Sequence, residues 1–398
     1  MRITPVVIKN EQKARELMSS LGVSRQGVRI LSPKSVYSVF KIEGIKSWEA
    51  NILKQHLLSQ GSDAAIERDA LVKDIRTGAL IFGSFSQLKN LCKKLKNQPF
   101  NLKEISQTLS FYLDNIHKET YIFRANNKQL KINKPLVCGI INMTPDSFFQ
   151  DGLLNKDQKY ILERVEKMLK AGAKMIDIGG ESTRPFSKPI TEKEELARVI
   201  PTLKAIRKRF RKVLISLDSY KYLVVKAAAA EGVDLINDIT ALNGDLRKSS
   251  VIKNYKLGCV LMHMKGKPRD MQKNPHYKDV ISEELDFFKE RLQFCQRIGI
   301  DKERIMIDPG IGFGKDLNDN LKLINQLYKF KVFGLPLFLG LSRKSFIGKI
   351  LKSEPGERLV GTLSATILSV GQGANILRTH DVAETVQALK VASKITNN

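Results

Sequence analysis

Cysteine is scarce and scattered. Cys92, Cys138, Cys259 and Cys295 are the only four in 398 residues, without CxxC spacing and without a cluster among the five histidines. That excludes a disulfide framework and a zinc site of ordinary spacing, and it predicts reduced, packed thiols in a cytoplasmic protein. Long apolar runs are also missing: none approaches the roughly 20 residues that cross a bilayer. The opening stretch MRITPVVIKNEQKARELM turns charged too early for a secretory signal. Aromatic residues make up 7% with a single tryptophan, and they do not interleave with basic residues as in single-strand binders. Acidic residues number 41 against 67 basic ones, a net charge of +26. This excess is spread along the chain rather than gathered on one stripe, so nucleic-acid binding is not the expected role. Attraction of an anionic substrate is a simpler use for it. The remaining composition, 42% hydrophobic and 27% charged, is that of a soluble globular protein.

From Leu136 onward one alternation repeats. Short apolar runs read as buried parallel strands: 136–142, 175–180, 214–219, 235–240, 258–264, 305–311, 337–342 and 376–381. Helix-length amphipathic segments such as YILERVEKMLKAGA and SEELDFFKERLQFCQRIG lie between them, with apolar residues three and four apart. Eight strands, each followed by a helix, predict a (β/α)8 TIM barrel over 131–398. A doubly wound open sheet is the alternative. Residues 1–130 read differently, as a small α+β domain. Strands are expected at 37–45, 63–71 and 78–84, helices at 47–61, 85–95 and 102–116, and a loosely specified arm before them. This part has no phosphate loop, metal spacing or nucleophile motif; Asp63, Glu67, Arg68 and Asp69 read as a solvated strand face.

Polar residues close nearly every barrel run: Asn142, Asp177, Asp218, Asn237 with Asp238, His263, Asp308, Ser342-Arg343-Lys344, and Arg378 with His380. Any one of them could be a helix cap. Eight strand ends out of eight point instead to a ring on the barrel face where such folds carry chemistry. Strands 7 and 8 end in SRKS and RTH, so Arg343, Lys344, Arg378 and His380 offer one rim several cations for a phosphate or diphosphate. Asn142 at the mouth of strand 1 is placed to give Mg²⁺ one oxygen, which suits an ion that leans on substrate phosphates. Asp218, Asn237 and Asp308 need partners if buried. A flat heterocycle rich in N–H groups would supply them, with Met262, Met264 and Phe313 as apolar walls. Paired carboxylates for sugar chemistry are the other reading.

The ordered set NMTPDSF (142–148), GESTRP (180–185), LDS (217–219), NDI (237–239), LMHMKG (261–266), DPGIGFGK (308–315), GLSRKSFIG (340–348) and RTHD (378–381) resembles the dihydropteroate synthase family. The resemblance covers about 135–396. It implies a barrel enzyme, usually dimeric, that condenses 6-hydroxymethyl-7,8-dihydropterin diphosphate with p-aminobenzoate, releasing 7,8-dihydropteroate and diphosphate. Carried onto this chain, it implies a pterin pocket of Asp218, Asn237, Asp308 and Lys344 with Met262 and Phe313 around the ring. Asn142 would serve Mg²⁺, and Arg378 and His380 the diphosphate. Thr183 and Arg184 would lie on a second mobile loop, and Ser345 would help to hold p-aminobenzoate. Phe148 becomes part of a lid that keeps water from a cationic intermediate, with Asp146 and Asp151 as its polar partners. Here the chain departs from the family: SFFQDGL stands where SFSDGG is usual, which shifts the lid aspartate to Asp151, and RTH replaces RVH. The rival readings are a methyltetrahydrofolate-dependent methyl transferase domain, which has no leaving diphosphate to explain SRKS and RTH, and a catalytically dead barrel used as a scaffold.

Overall fold

Each of the eight apolar runs forms a strand: Leu136–Asn142, Met175–Gly179, Leu214–Asp218, Leu235–Asp238, Gly258–Met262, Ile305–Asp308, Phe338–Gly340 and Ile376–Thr379, called strands 1 to 8 below. In the computed structural model, which describes residues 1–144, 157–182 and 187–396, they pair in parallel in the order 6-5-4-3-2-1-8-7. The Ile307–Leu337 bridge joins strand 6 to the edge of strand 7. This is the expected (β/α)8 barrel and not an open doubly wound sheet. Amphipathic helices follow the strands, among them Glu192–Arg209, Val280–Ile298, Leu359–Gly371 and Val382–Thr396. Local chemistry sets their ends: Thr191 and Glu194 form a reciprocal capping box, and Gly299 ends its helix at φ 82°.

Strand alternation separates two populations of side chains. Ile176, Ile215, Leu217, Ile236, Cys259, Leu261, Ile305, Ile307, Leu339 and Leu377 pack outward into the layer shared with the helices. The alternate positions face the barrel interior and change character along each strand. Met306 is followed by Asp308, Leu214 by Ser216 and Asp218, Leu235 by Asn237, Ile376 by Arg378 and then His380. The interior is therefore apolar at the amino ends of the strands and polar at the carboxyl ends.

The apolar end is closed by a hairpin, Tyr121–Ala125 paired with Lys128–Ile132, that the residue pattern does not announce. Tyr121, Phe123 and Ile132 join Leu136, Met175, Leu214, Val260, Met306, Phe338 and Ile376 in one buried cluster. Gly258 is the complement of this plug, since a Cβ there would lie 2.5 Å from the Phe123 ring. The chain divides into Met1–Lys118 and Glu119–Asn398, so the expected boundary after residue 130 cuts the hairpin. The physical reason is that the hairpin's apolar face belongs to the barrel core.

Met1–Lys118 is an α+β unit. Strands Tyr37–Lys46, Arg76–Ser84 and Asp63–Ile66 form an antiparallel sheet in that spatial order. Helices Ser47–Leu58, Phe85–Leu95 and Leu102–Ile116 bury Leu53, Leu57, Leu88, Leu91 and Leu113 with Ile81 of the sheet. The arm expected before residue 37 contains helices Glu11–Ser20 and Arg25–Ser35, started by Asn10 and Ser24, whose side chains accept from Lys13 N and Gly27 N. Residues 68–71 form a 3₁₀ turn instead of extending the second strand.

The plug makes a stability prediction. Phe123→Ala should destabilise the barrel by about 3–5 kcal/mol, read from urea unfolding. A chain beginning at Glu119 should unfold cooperatively. One beginning at Lys131 should be much weaker, and equal stability of the two would contradict the assigned role of the hairpin.

Candidate active site

At the polar end of the barrel the centre is a guanidinium. Arg378, from strand 8, donates through Nε to Asp177 Oδ2 at 2.5 Å and through Nη2 to Asp218 Oδ2 at 2.8 Å. Asp177 is inaccessible, and Asp218 is partly buried. Register explains the reach: Asp177 pairs with Ser216 and Gly179 with Asp218, so the two carboxylates stand on adjacent strands and face strand 8 across the lumen. Burial works against the charge of Arg378, but Asp177 and Asp218 more than offset it and hold the guanidinium above its ordinary pKa. Burial lifts the Asp218 carboxyl above the usual range, with Arg378 pulling it back and Asp177 adding to the rise. Asn237 donates to Asp177 Oδ2 at 3.5 Å, a long contact.

A second group lies on strands 5 to 7. Met262 pairs in register with Asp308. Asp308 Oδ1 accepts from Gly310 N at 2.8 Å, and burial pushes its carboxyl up to about 6, against Lys344 and the Gly310 N–H. Lys344 donates to the Ile311 carbonyl and holds its ammonium 4.7 Å from the Phe313 ring centre. Burial lowers it to about 8, with the Asp308 charge opposing. Asp218 and Arg378 also act on Lys344, so the two groups share one electrostatic space.

A third group forms the rim. His380 Nδ1 lies 2.9 Å from Ser342 Oγ, and its Nε2 lies 3.4 Å from Asn142 Nδ2. Arg343, expected among the phosphate cations, forms an ion pair with Asp381 instead. Ser345 is exposed at the start of the short helix Ser345–Leu351. Asp146, Phe148, Asp151, Thr183 and Arg184 lie outside the described residues.

The structure thus gathers Asp218, Asn237, Arg378, Asp308, Lys344, Phe313, Met262, Asn142 and His380 on one barrel face. Two guanidinium donors of Arg378, expected to serve the diphosphate, go to the carboxylates of Asp177 and Asp218. Asp177 lies in the middle of strand 2 rather than at its end, and it gains a role that reading it as a strand end does not assign. The available signal is a carboxylate inside an apolar strand, which demands a cationic partner. Asp177 Oδ1, Ser216 Oγ and Asn237 Oδ1 are buried without a hydrogen-bond partner among the described residues. Each such atom costs about 1–3 kcal/mol, and polar atoms left unpaired in this way point to a ligand. The chemistry they lack is donors, as a flat N–H-rich heterocycle would bring.

Comparison with known proteins shows the family. A family model described as pterin binding enzyme matches residues 138–380. The dihydropteroate synthase of Haemophilus influenzae is 45% identical over 267 residues, 67% of this chain and 96% of that protein. A Helicobacter pylori protein, bifunctional dihydropteroate synthase/dihydropteroate reductase, is 33% identical over 394 residues, 98% of this chain and 97% of its own. The crystal structure of Burkholderia cenocepacia dihydropteroate synthase complexed with 7,8-dihydropteroate superposes with a TM-score of 0.62 at 37% identity, covering 70% of this chain and 97% of that one. The chain belongs to the pterin-binding enzyme family, and within it to the dihydropteroate synthases.

Proposed function

We propose that the strand-end ring divides the dihydropteroate synthase reaction between a pterin pocket and a diphosphate rim. The reaction joins 6-hydroxymethyl-7,8-dihydropterin diphosphate to p-aminobenzoate in folate biosynthesis. The observation that carries the division of roles is the set of unpaired acceptors at Asp177 and Asn237 beside Asp218 and Asp308. The pterin's ring N–H and amino groups would donate to Asn237, Asp218 and Asp308, and Met262 and Phe313 would bound its faces. Arg378 holds Asp218 in place and keeps the cluster of carboxylates from repelling itself.

As the bond from the methylene carbon to the diphosphate oxygen breaks, the electron pair leaves with diphosphate and positive charge spreads into the electron-rich ring. Asp218 and Asp308 favour that charge, preorganised before it develops. The aryl amine then forms the C–N bond and loses a proton, with no strong enzymatic base required. His380 and Asn142 face the leaving group. Among the described residues no three His, Cys, Asp or Glu gather into a metal site. A single oxygen from Asn142 suits Mg²⁺, which keeps most of its waters, and the ion would neutralise charge on diphosphate. Ser345, Thr183 and Arg184 are proposed for p-aminobenzoate, with Phe148 and Asp151 on the lid. A homodimer belongs to the same proposal; exposed Val360, Leu368, Val391 and Ile395 on the last two helices offer it an apolar face. A cytoplasmic location fits as well, since no helix among the described residues is long and apolar enough to cross a membrane.

A second reading concerns Met1–Lys118. The Haemophilus relative matches two thirds of this chain with nearly all of its own length, whereas the Helicobacter protein matches the first unit as well. We infer that the first unit contributes a dihydropteroate reductase activity acting on the barrel's product. Such a reaction needs a hydride donor, a reduced nicotinamide or flavin. With purified full-length protein and dihydropteroate, oxidation of the donor should depend on the pteroate. A chain beginning at Glu119 should make dihydropteroate without this oxidation, and an unchanged reductase rate there would refute the assignment.

The synthase reading has a pH signature. The Asp308 carboxylate is the stronger acceptor and carries the charge that favours the ring, so pterin diphosphate affinity should climb as pH rises through about 6, where that group ionises. It should fall again above about 8, where Lys344 loses its proton. Calorimetric titration in the presence of Mg²⁺, paired with assay of dihydropteroate formation, measures both limbs. Asp308→Asn should remove the step near 6 and keep the basic limb, leaving the step near 7 at which Asp218 ionises. A step near 6 that persists in Asp308→Asn would take Asp308 out of the pocket.

A further inference from the structure

The backbone from Asp308 to Lys315 is held atom by atom. Gly310, Gly312 and Gly314 have φ of 68°, 85° and 64°. At Gly310 and Gly314 a Cβ would lie 2.0 and 2.1 Å from the carbonyl oxygens of His263 and Lys265, so this loop lies directly on the one after strand 5. Four successive carbonyls are each bound by a different side chain. Ile311 O accepts from Lys344, Gly312 O from Gln272 at 2.6 Å, Phe313 O from Lys315 at 3.1 Å, and Gly314 O from Tyr277 at 2.9 Å. Gln272 and Tyr277 are surface-side anchors. Lys315 is not: its side chain is inaccessible, and its ammonium lies 3.1 Å from the equally inaccessible Glu284 and 3.0 Å from His263 Nδ1. Burial lowers the Lys315 pKa, and the Glu284 charge opposes that.

An ammonium this deep is costly, and a neutral apolar pair of similar size would hold the helix as well or better. A hydrogen bond to a backbone carbonyl whose own side chain lines a binding pocket is something no apolar pair provides. We propose that Lys315, with Glu284 as its counter-ion, is a positioning residue of the pterin pocket. By holding the Phe313 carbonyl, it fixes the ring that walls the pocket and the ledge on which Lys344 lies. The inference rests on the pterin reading of the site. It adds a third row behind the residues that face the ring: Glu284 holds Lys315, Lys315 holds Phe313, and Phe313 supports Lys344.

Steady-state kinetics on the full chain test it, varying each substrate in turn. Lys315→Met should raise KM for pterin diphosphate by roughly tenfold, the order expected when one buried hydrogen bond is lost, and leave KM for p-aminobenzoate within about twofold. Because Lys315→Met leaves Glu284 buried with only the His263 ring beside it, at 3.1 Å, it also weakens the fold. The double variant Lys315→Met/Glu284→Leu removes that charge and should recover the wild-type melting temperature while keeping the raised pterin KM. If the double variant has the wild-type pterin KM, or if both KM values rise by one factor, Lys315 is only structural and the proposal fails. Absence of product from the wild-type chain would instead overturn the synthase reading itself.

Discussion

The site depends on one guanidinium kept inside a barrel by two carboxylates. Arg378 comes from the last strand and Asp177 and Asp218 from the second and third. The pairing therefore reaches past strand 1 and depends on the curvature of the sheet. Removing one partner of such a buried pair costs about 3–5 kcal/mol, because the other charge stays behind without water. The arrangement also fixes what remains for a ligand. With Asp177 Oδ2 and Asp218 Oδ2 committed to Arg378, the unpaired Asn237 Oδ1 and Asp177 Oδ1 define a surface that accepts hydrogen bonds and donates few. That is the complement of a pterin edge.

The barrel separates stability from chemistry along its axis. Its amino end is filled by aromatic and aliphatic side chains around Tyr121 and Phe123, where burial of apolar surface alone favours the fold. Its carboxyl end concentrates Asp177, Asp218, Asp308, Lys344 and Arg378, which are paired but incompletely satisfied. The loops there are supported from behind by buried ion pairs such as Lys315–Glu284 and Lys248–Asp238. A pocket whose walls are strand ends is rigid before substrate arrives, which suits a reaction whose developing charge must be met by dipoles already in place.

Much of this is legible in the sequence, for identifiable reasons. Strands 1 to 8 stand out as short apolar runs because both faces of a parallel strand are buried. Their polar ends reveal the site because a carboxylate such as Asp308, two residues after the buried Met306, has no structural excuse. The hairpin 121–132 does not show, since YIFRANNKQLKI mixes its two faces and its turn lacks glycine. The helices before residue 37 escape notice because Asn10 and Ser24 act as caps only once the residues after them turn helical. Asp177 reads as one more strand end, and only pairing with Arg378 reveals its role. Glu284 is invisible: in SEELDFFKERL it is one acidic residue among several, and nothing local distinguishes the buried one. Arg343 misleads because its partner, Asp381, follows a different strand.

How the carboxyl-end ring meets its ligand is decided most directly by a crystal structure with the pterin diphosphate bound. The ring should lie against Phe313 and Met262 and donate to Asn237, Asp218 and Asp308. It should leave the Arg378–Asp177 contact intact, with diphosphate directed toward His380 and Asn142. A pterin bound away from Asn237, or an Arg378 that abandons both aspartates to clasp the diphosphate, would contradict the division of roles.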